Sequence, residues 1–527
     1  MARKVFLYFF LYFLFFTTRV FAVPAFPGAE GFGANAVGGK GGTVYEVTNL
    51  NDSGPGSLRE CVAASGPRVC IFKVGGTILL SSTLTISNPY ITIAGQTALG
   101  GGITLKHASG GIGIQVQTYE VIIRYITSRP GPGGQNQALI VGSNGGNVYN
   151  VIVDHCSLSW ATDEIATTWY AAHNITFQWL IISEGLDCST HPKGCHSKGA
   201  LLGGYAGSEA KTTPGAKDIS FHHNLMAHNG ERGPMIKTSG LVDVVNNVTY
   251  NPYWTFAHFY LTSTFSGYNV KANFVGNYFK RGPSSTSNTG IKHVDEGGLA
   301  AQVYVQGNIG PTRSNDSLPE SDIVDSGSRG YLVSTRILAP SITTANAADA
   351  YNQVLAGAGN TQGLDSLGNF TWRRDAIDQR IVNDVKNGTG KIINDPSEVG
   401  GWLIIASGTT YTDSDHDGMP DSWENKYGFN PGNAADGPSD ADGDGYTNLE
   451  EFLNATNPIS TPTPTVVLCA RKGEGDANCD GLINILDFEI WRREFLGIDS
   501  TTKADFDSSG GITILDFEIW RRGFLGQ

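Results

Sequence analysis

The chain has 527 residues and a mass of 56.2 kDa, with 68 glycines, 40% hydrophobic and 16% charged residues. That length exceeds one ordinary domain, the glycine content and sparse charge exclude long helical arrays, and the apolar content excludes general disorder. The net charge of −13 is local, because residues 401–527 hold 22 acidic against 8 basic side chains while the rest holds 27 against 28. The acidity belongs to a C-terminal segment, and no nucleic-acid-binding face is expected.

Residues 1–22 read as a signal peptide: Arg3 and Lys4 precede the apolar run VFLYFFLYFLFF (Val5 to Phe16), and Val20-Phe21-Ala22 supplies the cut site. The run is short against the roughly 20 residues a membrane-spanning helix needs. The mature protein is therefore expected to be secreted and not to span a membrane. In an oxidising compartment Cys61 with Cys70, Cys188 with Cys195, and Cys469 with Cys479 are close enough in sequence for local disulfides, leaving Cys156 as a buried thiol. The chain has no CxxC pair, so zinc is not expected.

Between about Tyr90 and Ile309 short β-branched runs recur, among them YITIAG, VIIRYIT, VIVDHCSLS, DISFHHNLMA and LVDVVNNVTY. Four place an asparagine at an equivalent point: Asn224, Asn247, Asn277 and Asn308. A strand–Asn–apolar unit at this spacing predicts an all-β, right-handed parallel β-helix over residues 23–405, in which each coil buries its inward side chains against its neighbours and stacked asparagines bond the turn backbone of the next. A β-sandwich would need tight hairpins, and NG or DG signals are sparse. Such a helix offers a long groove suited to a polymer. The polar clusters Asp154-His155, Asp163-Glu164, His196-Ser197-Lys198, His222-His223, Glu231-Arg232 and Lys237 are expected on one external sheet, where carboxylates among cations suit an anionic polymer held through a divalent ion.

FPGAEGFG (from Phe26), LNDSGPGSLREC (from Leu50), IFKVGGTI (from Ile71), VIVDHCSLSWATDE, CHSKGALLGG and WRRDAIDQRIVNDVKNGTG (from Trp372) resemble the pectate lyases of polysaccharide lyase family 1 over roughly Phe26 to Trp402. The resemblance implies β-elimination at the 1,4 linkage of homogalacturonan or pectin, giving a 4,5-unsaturated end. It places Arg232 of ERGPMIK at the position of the family's base. Lys198 matches a substrate-binding lysine, and Lys237 replaces a second arginine, keeping the charge without the guanidinium fork. His196 and His223 join Lys198 and Lys237 as candidate substrate-binding residues. A guanidinium is normally protonated, so Arg232 either needs its proton affinity lowered by nearby positive charge or stays charged and stabilises the enolate. The candidate groove calcium ligands are Asp163, Glu164 and Asp154; two other positions where the family carries aspartate align with Gln137 and Thr167. That departure leaves two substrates open, pectate with calcium and a more methylated pectin without it.

Residues 410–457 hold two loops with EF-hand ligand spacing. Asp413, Asp415, Asp417, Gly418, Asp421 and Glu424 form one, and Asp440, Asp442, Asp444, Gly445, Asn448 and Glu451 the other. They resemble the thrombospondin type 3-like calcium repeats of secreted bacterial enzymes, and a calcium-stiffened spacer is expected. Residues 458–469 are a Pro/Thr linker. Residues 470–527 are an internal duplication sharing ILDFEIWRR, with candidate ligands Asp476, Asn478, Asp480, Asn484 and Asp487, then Asp505, Asp507, Ser509, Thr513 and Asp516, each loop leading into a helix. This resembles a type I dockerin, implying attachment to a cohesin module of a scaffold or cell surface, with Ile485-Leu486 and Ile514-Leu515 where such modules select their cohesin. The sequence thus favours a secreted, tethered pectate lyase. A galacturonan hydrolase would need several converging aspartates, and a non-catalytic β-helical adhesin remains as a reading of another class.

Overall fold

The computed structural model describes residues 23–204, 215–262, 270–297 and 300–460, with 474–477, 483, 485–496, 504–507, 509 and 511–526 of the C-terminal segment. The expected signal peptide, Cys469, Cys479, Asn478, Asp480 and Asn484 lie outside the described residues. Among the described residues from Thr43 to Gln306 the strands form three sheets, all parallel. One has ten strands, from Thr43–Val47 to Ala301–Gln306, and two have eight. Successive strands pass from sheet to sheet, so each circuit lays one strand in each and the next stacks upon it. This is the parallel β-helix that the recurring apolar runs predict. Their inward residues, such as Val151, Ile175, Phe177, Ile219, Phe221 and Val244, merge into one buried core.

The ten-stranded sheet is covered by the chain's own beginning. Thr176 and Ser220 point outward and accept hydrogen bonds from the backbone of Gly33 (2.8 Å) and Phe32 (3.1 Å). Gly33 is required by space, since a Cβ there would come within 2.4 Å of the Val151 carbonyl oxygen. The acidic segment packs on the same sheet: Met419, Leu449, Phe452 and Leu453 bury against Val69, Ile71 and Ala94. Residues 410–457 are thus a docked module rather than the spacer expected, because the apolar residues between the acidic loops find a sheet face to cover. Helices Ala347–Gly357 and Ala376–Asn387 cover a second sheet through Val354, Leu355, Ile381 and Val385. Their anchor is the buried Arg129, paired with Asp375 (2.6 Å) and Asp378 (2.7 Å). The third sheet keeps its middle strands clear of these coverings.

The asparagines stack as predicted. Backbone N–H groups of Asn224, Asn247 and Asn277 donate to Oδ1 of Asn247 (2.9 Å), Asn277 (2.9 Å) and Asn308 (3.0 Å). The residue before each, His223, Asn246, Gly276 or Gly307, is left-handed with φ between 52° and 64°. Two coils earlier Cys156 holds the same place, its Sγ accepting from Ile126 N–H at 3.5 Å. Burial pushes this thiol up to about 12, so it is an inert core residue. The disulfides Cys61–Cys70 and Cys188–Cys195 are formed.

At the same turn Tyr125, His155, Trp179 and His223 stack with centroids 4.9, 5.7 and 4.5 Å apart. This corrects two expectations. His223 is the end of an aromatic stack on the turn after the ten-stranded sheet and does not face the polymer groove. Asp154 ends a strand of that sheet, and its carboxylate is taken by Arg124 (2.8 Å), His155 (2.7 Å) and Gln178 (2.8 Å), leaving it no role as a groove ligand. The pattern of an apolar strand ending in polar residues recurs before different turns of the coil, and sequence alone does not say which.

Burial pushes His223 down to about 4 and its neighbour His222 down to about 3. Both lie below the unfolded value near 6.5, so the unfolded chain binds protons that the folded chain refuses, and stability present above pH 6.5 is lost as pH falls toward 4. The thermal midpoint is expected to drop by several degrees from pH 7 to 4.5. His223→Phe, which keeps the stack but cannot titrate, should flatten that slope in melts followed across pH.

Candidate active site

On the third sheet the register aligns Glu164 with Lys198, and Lys198 bridges to Glu231. Three coils therefore bring side chains far apart in sequence to one strand edge. Arg232 follows Glu231 in a left-handed turn (φ 67°), and its carbonyl accepts the Ala200 N–H at 2.7 Å, locking the turn to the lysine strand. The Arg232 guanidinium is ion-paired with Glu164 and lies 3.7 Å from Glu231, which itself pairs with the Lys198 ammonium. Lys237 stands nearby with its ammonium 5.0 Å from the centre of the Tyr260 ring. Predicted residues Asp163, Glu164, His196, Lys198, Arg232 and Lys237 thus belong to one face.

The charges are balanced by neighbours. Burial pushes the Glu164 carboxyl up and the Asp163 charge adds to this, against Arg232. Burial acts the same way on Asp163, but hydrogen bonds from His196 and Gln135 outweigh it and hold this carboxyl well below the usual range. Glu231 is likewise depressed: burial opposes its charge, and Lys198 prevails. His191, which sequence reasoning did not single out, lies over His196 with ring centroids 4.0 Å apart. Its only sequence signal is its place in the loop closed by Cys188–Cys195.

Asp163, His191 and His196 bring ligand-type atoms within 4.8 Å of one another. However, the Lys193 N–H donates to His191 Nδ1 (3.1 Å), which leaves the ring proton on Nε2, facing Asp163 at 3.8 Å. At that distance no hydrogen bond forms, and His191 Nε2 has no hydrogen-bond partner among the described residues. The groove carboxylates are a separate matter. Gln137 donates its amide to both Asp163 and Glu164 (3.3 Å each), Thr167 is fully buried, and the carboxylates of Asp163, Glu164 and Glu231 are engaged by His196, Arg232 and Lys198. This donor set does not fit a calcium ion held by protein carboxylates. What the arrangement can do is bind carboxylates and stabilise negative charge that develops beside Arg232.

No protein-family model matches the chain. It is 36% identical over 447 residues to a probable pectate lyase C of Aspergillus flavus, covering 83% of this chain and 95% of that protein. A probable pectate lyase C of Aspergillus fumigatus is 36% identical over 449 residues, with 84% and 96% covered. The chain belongs to the pectate lyase family. It is a polysaccharide lyase. Among solved structures, Jun a 1, the major allergen from cedar pollen, superposes with a TM-score of 0.43 at 19% identity, over 63% of this chain and 92% of that one.

The lyase's acidic segment gathers carboxylates that the protein leaves unpaired. Buried oxygens of Asp413, Asp415, Asp417, Glu424 and Asp436 have no hydrogen-bond partner, and ligand atoms of Asp415, Asp417, Glu424 and Asp436 lie within 4.8 Å of one another. Burial and mutual repulsion push Glu424 up to about 8 and Asp417 up to about 7. Such orphaned, convergent oxygens fit calcium. Two expected ligands are differently placed. Asp413 also binds the Lys73 ammonium (2.9 Å), and Asp421 accepts from Ser414 N–H and Oγ (2.7 Å each), where Asp436, which the motif did not flag, completes the cluster. In the second loop Asp440, Asp442 and Asp444 converge, Glu451 keeps a buried oxygen unpaired and is pushed up to about 7, and Asn448 accepts from Ala441 N–H (3.2 Å).

In the C-terminal duplication, helices Ile485–Phe495 and Ile514–Leu525 pack through Phe488, Trp491, Phe517 and Trp520. Asp487 and Asp516 hold equivalent places, accepting from Ala477 N–H (2.9 Å) and Phe506 N–H (2.7 Å), and Asp476 is buried. Asp505, Asp507 and Asp516 converge, Ser509 donates its N–H to Asp505 and Asp507 (2.9 Å each), and Thr513 caps the second helix.

Proposed function

We propose that this lyase cleaves 1,4-linked galacturonan by β-elimination. The observation that carries the reading is the meeting of Lys198 and Arg232 with Glu164 and Glu231, with Lys237 at the end of the strand that follows Arg232. In this reading Lys198 and Lys237 hold uronate carboxylates, which acidifies the adjacent C5–H. The substrate carboxylate competes with Glu164 and Glu231 for their cations. Arg232, freed from Glu164, first gives one guanidinium proton to solvent, a loss that the neighbouring cations and desolvation favour. The neutral nitrogen then takes the C5 proton, the C5–H electron pair forms the C4–C5 double bond, and the C4–O bond breaks so that the oxygen leaves with the departing chain, protonated by water. Should Arg232 remain charged, it stabilises the enolate while a water or hydroxide from solvent takes the C5 proton.

The test is to incubate the purified protein with polygalacturonate and with highly methylated pectin, each with calcium or chelator, and to follow unsaturated product by ultraviolet absorbance. Product from polygalacturonate is expected. Product only from methylated pectin would assign a pectin lyase, the second reading, which Gln137 and Thr167 favour. No product from either would overturn both.

We further propose that calcium fills the acidic loops, with Asp415, Asp417, Glu424 and Asp436 holding one ion and Asp440, Asp442, Asp444 and Glu451 another. Ions present at 100 to 1,000 times their Kd stabilise by about 3–4 kcal/mol each. Chelator is therefore expected to lower the thermal midpoint of the whole lyase by several degrees, reversed by excess calcium, because the module is packed on the β-helix. Secretion and attachment to a cohesin by the C-terminal module complete the proposal. Ile514 and Leu515, 60% and 62% exposed, support it as apolar contact residues.

A further inference from the structure

Beyond the arginine, towards the later coils, the same face carries cations and aromatic rings that the reaction does not use. The register runs Met235, His258, Lys292 across three successive strands of the third sheet, about 4.8 Å per step. The Lys292 ammonium lies 4.8 Å from the centre of the Trp254 ring. Trp254 is 36% exposed and meets the buried His258 edge to face at 5.6 Å. Its backbone is tied to the catalytic segment: the N–H groups of Tyr253 and Trp254 donate to the Gly230 carbonyl at 2.9 and 3.1 Å. That carbonyl immediately precedes Glu231 and Arg232.

His258 links the two halves of this patch by its place in the register and its ring contact with Trp254. It is fully buried, its ring nitrogens have no hydrogen-bond partner among the described residues, and it interacts electrostatically with Glu231, Arg232, Lys198 and Lys292 alike. By register His258 stands between the strand that follows Arg232, which holds Met235, and the strand that holds Lys292. Among the described residues no carboxylate lies within ion-pair distance of Lys292, whereas Lys198 and Arg232 are both held by acids. A cation kept over an exposed indole, without an acid, is matched to a ligand that brings its own carboxylate and a ring to stack.

We propose that Trp254, one coil beyond Arg232, and Lys292, two coils beyond it, form a substrate subsite for one hexuronate ring of the polymer. The pyranose ring lies on the Trp254 indole and its carboxylate on the Lys292 ammonium. The subsite rests on the galacturonan reading, and it sets which bond of an oligomer is placed at Arg232.

The experiment uses the full-length protein with Trp254→Ala and Lys292→Ala, and with Trp254→Phe and Lys292→Arg as conservative partners. Hexagalacturonate is the substrate, and Lys271→Ala on the ten-stranded sheet is the control. KM is expected to rise about tenfold in the alanine variants with kcat within about twofold. The position of the cleaved bond should shift, and the Phe and Arg variants should restore both partly. Unchanged KM and cleavage pattern with thermal midpoints intact would overturn the subsite. Calorimetric titration with the same hexamer separates the two ideas: tenfold weaker binding in the alanine variants supports the subsite even if the wild type makes no unsaturated product. Absence of binding to the wild type overturns both the subsite and the galacturonan reading.

Discussion

Replacing Arg232 by alanine is expected to lower kcat/KM on polygalacturonate by about a thousandfold or more while leaving the protein folded. A general base or a charge-stabilising group at the reacting atoms contributes on this scale. The backbone contribution should be small, because alanine suffers the same left-handed conformation at this position (φ 67°) as arginine does. Arg232→Lys keeps a charge without the planar fork and should fall between wild type and alanine. Lys198→Ala should raise KM as well as lower kcat, since it removes a carboxylate partner and leaves the half-buried Glu231 only the longer contact with Arg232, which draws that cation away from substrate. Initial rates of absorbance increase, read beside thermal midpoints, check these outcomes. An alanine variant retaining a tenth of wild-type activity would remove Arg232 from the chemistry.

The second large effect is expected in the asparagine ladder. Asn247 donates to the carbonyls of Phe221 (2.8 Å) and Val245 (3.1 Å) and to Asn277 Oδ1 (3.0 Å), and its own Oδ1 accepts from the Asn224 N–H (2.9 Å). All of this is buried. Asn247→Ala removes the side-chain partner of the buried Asn224 N–H and of the Phe221 carbonyl and breaks the link to Asn277, while the Val245 carbonyl keeps the His223 N–H (3.0 Å). At about 1–3 kcal/mol for an unsatisfied buried group, a loss of about 3–5 kcal/mol is expected. Asn247→Leu should fare no better, because its volume replaces none of these bonds. Thermal and denaturant unfolding measure the loss, and a change below about 1 kcal/mol would mean the ladder is ornamental.

The repeat was legible because a parallel coil must satisfy the same turn at every step, and Asn224, Asn247, Asn277 and Asn308 recur in the sequence for that reason. The catalytic cluster was half legible. Lys198, Arg232 and Lys237 stand in distinctive local motifs, and the stacking of coils brings them together. Asp154 and His223 were misplaced because each ends a strand that looks like its neighbours, and only the three-dimensional circuit says which sheet that strand joins. Trp254, His258 and Lys292 carry no local signal; their relation exists only through strand register. The docking of the acidic segment was hidden for a similar reason. Met419, Leu449 and Phe452 sit among calcium-type ligands, and ligand spacing does not reveal what the intervening apolar side chains cover.

A stack of coils has no internal reason to stop. Its first strand presents unpaired backbone groups that another copy could extend, the route by which β-proteins grow into fibres. Here that strand, Thr43–Val47, lies beside the acidic module: Glu46 meets His416 (2.9 Å) and Lys73 (3.3 Å), and Lys73 in turn reaches Asp413 (2.9 Å). Two molecules approaching by this end would bring their most acidic segments together. The module that carries most of the protein's negative charge would thereby set like charge against like charge at the end where a second copy could add a strand.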